Sequence, residues 1–292
     1  MASVTATRTG AERVRRQPRP VAGFWPTTPA LFLLLVFFVA PVVGLLLRSV
    51  LDPQPGFSNY AEVFGSTTYL RVFTNTFVVA GLVTLATLLL AFPVAWFLAI
   101  APRRWSSLLF GIIILSMWTN LLTRTYAWMV LLQRTGVINK ALMDLGLISA
   151  PLPLINNLAG VTIGMTYIML PFMILPLHST IRTLDPALCR AAALCGASPL
   201  QVFAGVFLPL VASGLGAGIL MVFVMSLGYF VTPALLGGTA NMMLAELIAQ
   251  LVQSLLNWGL AGAAAVVLLV VTLTIYAIQL RLFGFGVGHE VE

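Results

Sequence analysis

Charge is what this sequence has least of. Only 8% of its 292 residues are charged, while 60% are hydrophobic. Soluble domains carry about 25% charged residues, so too little polar surface is left here to face water, and a soluble domain is excluded. Histidine and cysteine are nearly absent, at two residues each. Cys189 and Cys195 sit six residues apart in a helical stretch and point in different directions, which argues against a disulfide or a metal site. Lys140 is the only lysine and Asn139 precedes it, so the chain has no Gly-Lys-Ser or Gly-Lys-Thr loop to cradle phosphates. No Asp or Glu lies in the middle of an apolar run, where a proton- or sodium-coupled carrier places an ionisable group. These absences predict no catalytic residues, no metal and no cofactor. The chain does not read as an enzyme.

What is present is long uncharged runs. Val72 to Pro102 and Ala191 to Ala245 contain no charge, and Leu145 to Ile181 contains only His178. About 20 apolar residues cross a bilayer as a helix. The runs are continuous rather than alternating, which favours helices over a barrel, because helices satisfy their own backbone groups in lipid. The expected fold is all-α and polytopic. Residues 1–28 read as a disordered basic tail, 29–282 as the transmembrane domain and 283–292 as a second tail. Six spans are expected at about 29–50, 72–101, 106–131, 158–180, 207–235 and 258–281. The first run is longer than the apolar core of a signal peptide and reads as a retained span.

Six spans put both termini on one side. That side would hold Arg8, Arg13, Arg15, Arg16, Arg19, Arg103, Arg104, Arg182, Arg190 and Arg281, ten of the fifteen basic residues. Arg48, Arg71, Arg124, Arg134 and Lys140 fall on the other, offset by Asp52, Glu62, Asp144 and Glu246. The positive-inside rule makes the first side cytoplasmic, in a bacterial inner membrane. The net charge of +7 is dispersed over these flanks and is no signal for nucleic acid. Membrane lipid is the surrounding partner.

Prolines lie in several spans: Pro41, Pro93, Pro171, Pro176 and Pro233. They read either as kinks that let a bundle switch state or as ordinary membrane-helix composition. Gly160 with Gly164, and the face of Gly214, Gly216 and Gly218, suit close helix packing. Outside the spans, residues 137–147 look like a short helix. Residues 241–256 place Leu244, Leu247, Ile248, Leu251, Val252 and Leu255 on one face, with Glu246, Gln250 and Gln253 on the other. That amphipathic helix is either a packing element or a wall of a solute path.

The segment IRTLDPALCRAAALCGASPLQVFAGVFLPL, residues 181–210, is the informative loop. Asp185-Pro186 offers an N-cap followed by proline at the first helical position, and Ser198-Pro199 repeats the device. Gly196 lies between them, where a turn needs freedom from Cβ. The pattern reads helix, turn, helix, with the second helix running into the fifth span. The first helix is short, rich in alanine, and exposes Arg190. Such a knob suits a groove on another protein.

This stretch resembles the "EAA" loop of ATP-binding-cassette importer permeases: Glu-Ala-Ala, three residues, Gly, nine residues, an aliphatic residue, any residue, Leu-Pro. Here Arg190-Ala191-Ala192 leads to Gly196, then Val206, Leu208 and Pro209, and every spacing fits. One position departs, because Arg190 stands where the family has glutamate. Phe73-Thr74-Asn75-Thr76, Leu122 to Trp128 (LTRTYAW) and Phe230 to Gly238 (FVTPALLGG) are similar to the spermidine/putrescine-type permeases. The resemblance covers roughly residues 30–280 and implies a type I importer fold. It implies that Asp185, Pro186, Arg190, Ala191, Ala192, Gly196, Ala197, Ser198, Leu208 and Pro209 form the loop that docks on cytoplasmic ATPase subunits. It also implies a second permease subunit, expected to be a different chain, a periplasmic solute-binding protein, and a small solute, with a polyamine first. Another small solute, such as an amino-acid derivative or organic cation, remains open, as does a stand-alone carrier.

For a solute path the candidates are Trp118, Tyr126, Trp128, Tyr167, Tyr229 and Phe230, with Glu246. The aromatics serve either as cation–π faces or as a belt at the membrane interfaces. On a continuous third span, Arg124 would stand roughly 28 Å beyond Trp105 at 1.5 Å per residue, at the outer boundary. There it would either snorkel to headgroups or belong to an outer gate.

Overall fold

The computed structural model describes residues 28–283. The tails expected at 1–28 and 283–292 lie almost wholly outside the described residues. The chain divides into two compact units, the first ending at Gly44 and the second beginning at Leu45. Every described residue of the first unit is exposed.

Among the described residues all regular structure is helical. In chain order the helices are α1 (Thr28–Leu51), α2 (Ser58–Gly65), α3 (Thr67–Ile100), α4 (Arg103–Trp118), α5 (Leu121–Leu132) and α6 (Val137–Asp144). They continue with α7 (Leu158–Thr183), α8 (Pro186–Leu194), α9 (Pro199–Leu227), α10 (Val231–Leu236), α11 (Leu244–Gln253) and α12 (Trp258–Phe283). Five of them, α1, α3, α7, α9 and α12, are long and apolar enough to cross a membrane. A sixth crossing exists if the bent pair formed by α4 and residues 121–144 counts as one span.

The core is a bundle of α3, α7 and α9. Val79, Val83, Ala91 and Ala95 recur at helical spacing along α3, as do Val161, Met165, Met169, Met173 and Leu177 along α7, and all are buried. Glycine sets the approach of α9. A Cβ on Gly214 would overlap the Thr180 side chain, and one on Gly218 would meet the Met173 sulfur at 2.8 Å. A second cluster joins α2, α11 and α12 to the start of α3 through Val63, Val72, Leu244, Leu247, Leu251 and Leu260. There the Thr76 hydroxyl donates to the Val72 carbonyl and accepts the Leu244 amide, each at 2.8 Å.

Two expected spans differ from the structure. The third is not one straight helix over 106–131. It breaks after Trp118, and residues 103–118 and 121–144 are bent by 101°. Asn120 causes the restart, since its side-chain oxygen accepts the amides of Leu122 at 2.8 Å and Thr123 at 3.4 Å. The length count from Trp105 to Arg124 therefore does not hold across the break. The fifth span does not run to 235. It stops at Leu227, where Ser226 O accepts both Gly228 and Tyr229 amides, and α10 begins after Phe230.

Proline acts here in two ways. Pro93, Pro171 and Pro176 sit inside uninterrupted helices. Pro41 and Pro209 each follow a π-turn, Leu35–Val39 and Phe203–Phe207. Proline lacks an N–H and crowds the carbonyl four residues back. The helix widens by one residue just before each of them.

Candidate functional site

The loop between α7 and α9 is built by local caps. Asp185 Oδ1 accepts the Ala187 amide at 2.8 Å, with Pro186 at the first helical position of α8. At the other end Gly196 adopts φ +88°. Its amide bonds the Ala193 carbonyl at 3.0 Å, and the Ala197 amide bonds that of Ala192 at 3.2 Å. These two bonds make a Schellman closure, which needs a left-handed residue at this position. Ser198 then starts α9 with a capping box: Gln201 Oε1 accepts the Ser198 amide at 2.8 Å, and Ser198 Oγ accepts the Gln201 amide at 3.4 Å.

The result is a knob. No residue of α8 is buried. Leu194 is 89% exposed and Leu200 76% exposed. Both leucines lie at the turn that links α8 to α9. Arg190 is exposed on the same helix. Among the described residues the one ion pair is Arg48 with Asp52, so Arg190 has no carboxylate partner among them.

The knob's root is gripped by rings. Trp96 of α3 lies 4.4 Å from Phe207 and stacks on Phe203 at 6.1 Å, while Phe203 and Phe207 stack on each other at 5.7 Å. Phe92 meets Phe203 edge-on at 6.0 Å. The π-turn widens the helix at the segment that carries Phe203 and Phe207. Behind the knob lies an apolar cavity of about 450 Å³, lined by Trp96, Ile181, Leu184, Cys189, Phe203 and Phe207. The sequence reading did not single out these rings; the FAGVF spacing next to Pro209 was their one local signal.

The structure places the aromatic path candidates unequally. Trp128 and Tyr167 pack together, with ring centres 5.6 Å apart. Tyr229 lies in the break after α9, within electrostatic reach of the Arg124 guanidinium. The Thr125 and Thr232 hydroxyls, 3.2 Å apart, tie α5 to α10 beside them. Trp118, Tyr126 and Phe230 are 84%, 54% and 44% exposed. Glu246 lies in the first turn of α11.

The family of binding-protein-dependent transport system inner membrane components matches residues 94–285, a stretch that holds the knob, its ring clamp apart from Phe92, and four of the long helices in whole or part. The chain belongs to that family. It is a multi-pass inner-membrane protein, and the resemblance carried by residues 190–209 holds for the whole matched region. Among curated relatives, the spermidine/putrescine transport system permease protein PotB of Escherichia coli (strain K12) is 36% identical over 203 residues, 70% of this chain and 74% of that one. PotB of Haemophilus influenzae is 36% identical over 208 residues, 71% of this chain and 72% of its own. The inner membrane ABC transporter permease protein YdcU of E. coli is 34% identical over 63% of each chain. Among solved structures, a bacterial ABC transporter involved in the import of alginate matches with TM-score 0.69 over 90% of this chain and 95% of that chain. The same kind of transporter, in complex with its alginate-loaded periplasmic protein, gives 0.71 over 88% and 92%. Both are 19% identical and speak to the fold alone.

Proposed function

We propose that this permease subunit serves an ATP-binding-cassette importer for polyamines of the spermidine and putrescine kind. The observation that carries the solute class is the 36% identity to PotB across 70% of this chain and 74% of the relative. The knob supports the motor. It is exposed, capped at its start by the Asp185 side chain and closed at its end by the Gly196 turn, and presents leucines and Arg190 to a partner. In this reading residues 185–209 dock on cytoplasmic ATPase subunits. Both termini lie in the cytoplasm, so the ends of α3 and α7 at Thr67 and Leu158 face outward. A periplasmic binding protein delivers solute there, and a second, different permease subunit completes the path. Trp128 with Tyr167, and Tyr229 beside Arg124, form this chain's share of the wall. Arg190 meets an acidic group on the ATPase, reversing the sign of the family's usual glutamate contact.

The test is a reconstituted complex of this chain, its partner permease and its ATPase in proteoliposomes, offered a panel of solute-loaded binding proteins. Spermidine- or putrescine-loaded protein should stimulate ATP hydrolysis and uptake. Stimulation only by a different solute would remove the polyamine assignment. Uptake by this chain alone, driven by an ion gradient, would remove the importer assignment altogether.

A further inference from the structure

Glu246 is set in this structure unlike Asp52 or Asp185. Asp52 pairs with Arg48 at 3.8 Å, and Asp185 caps α8. Glu246 is half-buried on α11, and its Oε2 is shut off from solvent with no hydrogen-bond partner. Burial pushes its carboxyl above the ordinary carboxylate range, and a hydrogen bond from the Met243 backbone offsets this only in part. Among the described residues no cation pairs with it. Helix α11 packs against α12, α3 and α10. Helix α10 carries no titratable group, and α12 carries Tyr276 and Arg281 at its far end. Helix α3 brings Tyr69 and Arg71, and Arg71 makes no ion pair among the described residues. A carboxylate sheltered beside a membrane without a counter-charge is costly, and costly groups of this kind mark solute and ion paths.

The rest of the helix says what kind of cation fits. Leu244, Leu247 and Leu251 are buried on one face, while Gln250 and Gln253 are exposed on the face that Glu246 shares. Positions i, i+4 and i+7 rise about 6 and 10.5 Å along a helix at 1.5 Å per residue. Carboxylate and carboxamide oxygens all accept N–H bonds. An extended chain of four methylenes holds its two nitrogens roughly 6 Å apart at standard bond lengths. We infer that the stripe Glu246, Gln250 and Gln253 is a binding strip for a linear polyamine, with Glu246 taking one ammonium and the glutamines hydrogen-bonding the next. A basic side chain from the partner subunit would use the carboxylate once and would have no need of two amides at one-turn spacing. This rests on the polyamine reading above.

The experiment uses the full importer in proteoliposomes, with saturating spermidine-loaded binding protein and labelled spermidine. Glu246→Gln should cut solute-coupled uptake at least tenfold, with basal ATP hydrolysis and co-purification of the partner subunit unchanged. Glu246→Asp should restore much of the rate. Wild-type uptake should fall as pH drops through the raised carboxyl value, and the Gln variant should lack that limb. Unchanged uptake and pH profile in Glu246→Gln would overturn the inference. So would loss of the partner subunit from the complex, which assigns Glu246 to the interface, or an equal fall in basal hydrolysis, which assigns it to the fold. Wild-type protein that carries no polyamine would remove the polyamine reading and this strip together, an outcome distinct from an indifferent variant.

Discussion

Replacing Gly196 by valine isolates the knob's geometry from everything else. The residue sits at φ +88°, and a Cβ added there meets nothing within 4 Å. The cost is therefore one of backbone conformation, with no packing contribution. An L-residue held in the left-handed region costs about 1–2 kcal/mol, and a β-branched one lies at the upper end. If valine escapes to negative φ, the closing bonds at 3.0 and 3.2 Å from Gly196 and Ala197 are lost instead. Either way the ratio of closed to open turn falls by a factor of roughly 5–30. Uptake per ATP hydrolysed should fall by up to that factor, while membrane insertion is untouched because the turn lies outside every long apolar helix. Gly196→Asn should keep most of the coupling, since asparagine enters the left-handed region readily. The assay is paired uptake and phosphate release in proteoliposomes. Full coupling in the valine variant, or an asparagine variant as impaired as valine, would refute the reasoning.

Other changes follow from the same geometry. Gly214→Val forces a side chain into Thr180, so overpacking of about 1–3 kcal/mol or more should lower the thermal midpoint of the purified complex. Gly81→Ala, where an added Cβ meets nothing within 4 Å, should leave that midpoint unchanged or raise it. Trp96→Ala removes the ring contacts with Phe203 and Phe207, each worth about 0.5–1.5 kcal/mol beyond burial, and should reduce coupling more than insertion, read by the same paired assay. The pH dependence of stability has a definite sign at Glu246. A carboxyl raised by burial contributes stability that is fully present below the unfolded value of about 4.3 and is lost as pH rises through the folded one. Thermal melts should show Glu246→Gln gaining on wild type across that window and holding a constant lead above it.

The parts legible in the sequence are those written in a local code. Asp185-Pro186, Gly196 and Ser198-Pro199 each carry a cap or a turn within four residues, and the structure makes the hydrogen bonds those residue types offer. The face of Leu244, Leu247 and Leu251 was legible because burial follows a helical period. The break at Thr119 and Asn120 was not, because apolar residues continue on both sides and hydropathy does not register a cap. Asn120 ahead of a leucine pair was the signal available. The stop at Leu227 was hidden in the same way, with Gly228 as its only mark. The ring clamp needed tertiary contact, since Trp96 and Phe203 lie on different helices and nothing in either segment names the other.

In the proposed importer the knob at residues 186–196 faces the cytoplasm and is gripped by a separate ATPase. Cys195 is an exposed free thiol at the tip of that knob, and Cys189 is only partly exposed. With Cys189→Ser leaving one cysteine, a membrane-impermeant maleimide reports its side and its cover. Labelling is expected in inside-out vesicles, none in right-side-out vesicles, and protection once the ATPase subunits are bound. Labelling from the periplasmic side, or labelling indifferent to the ATPase, would contradict it.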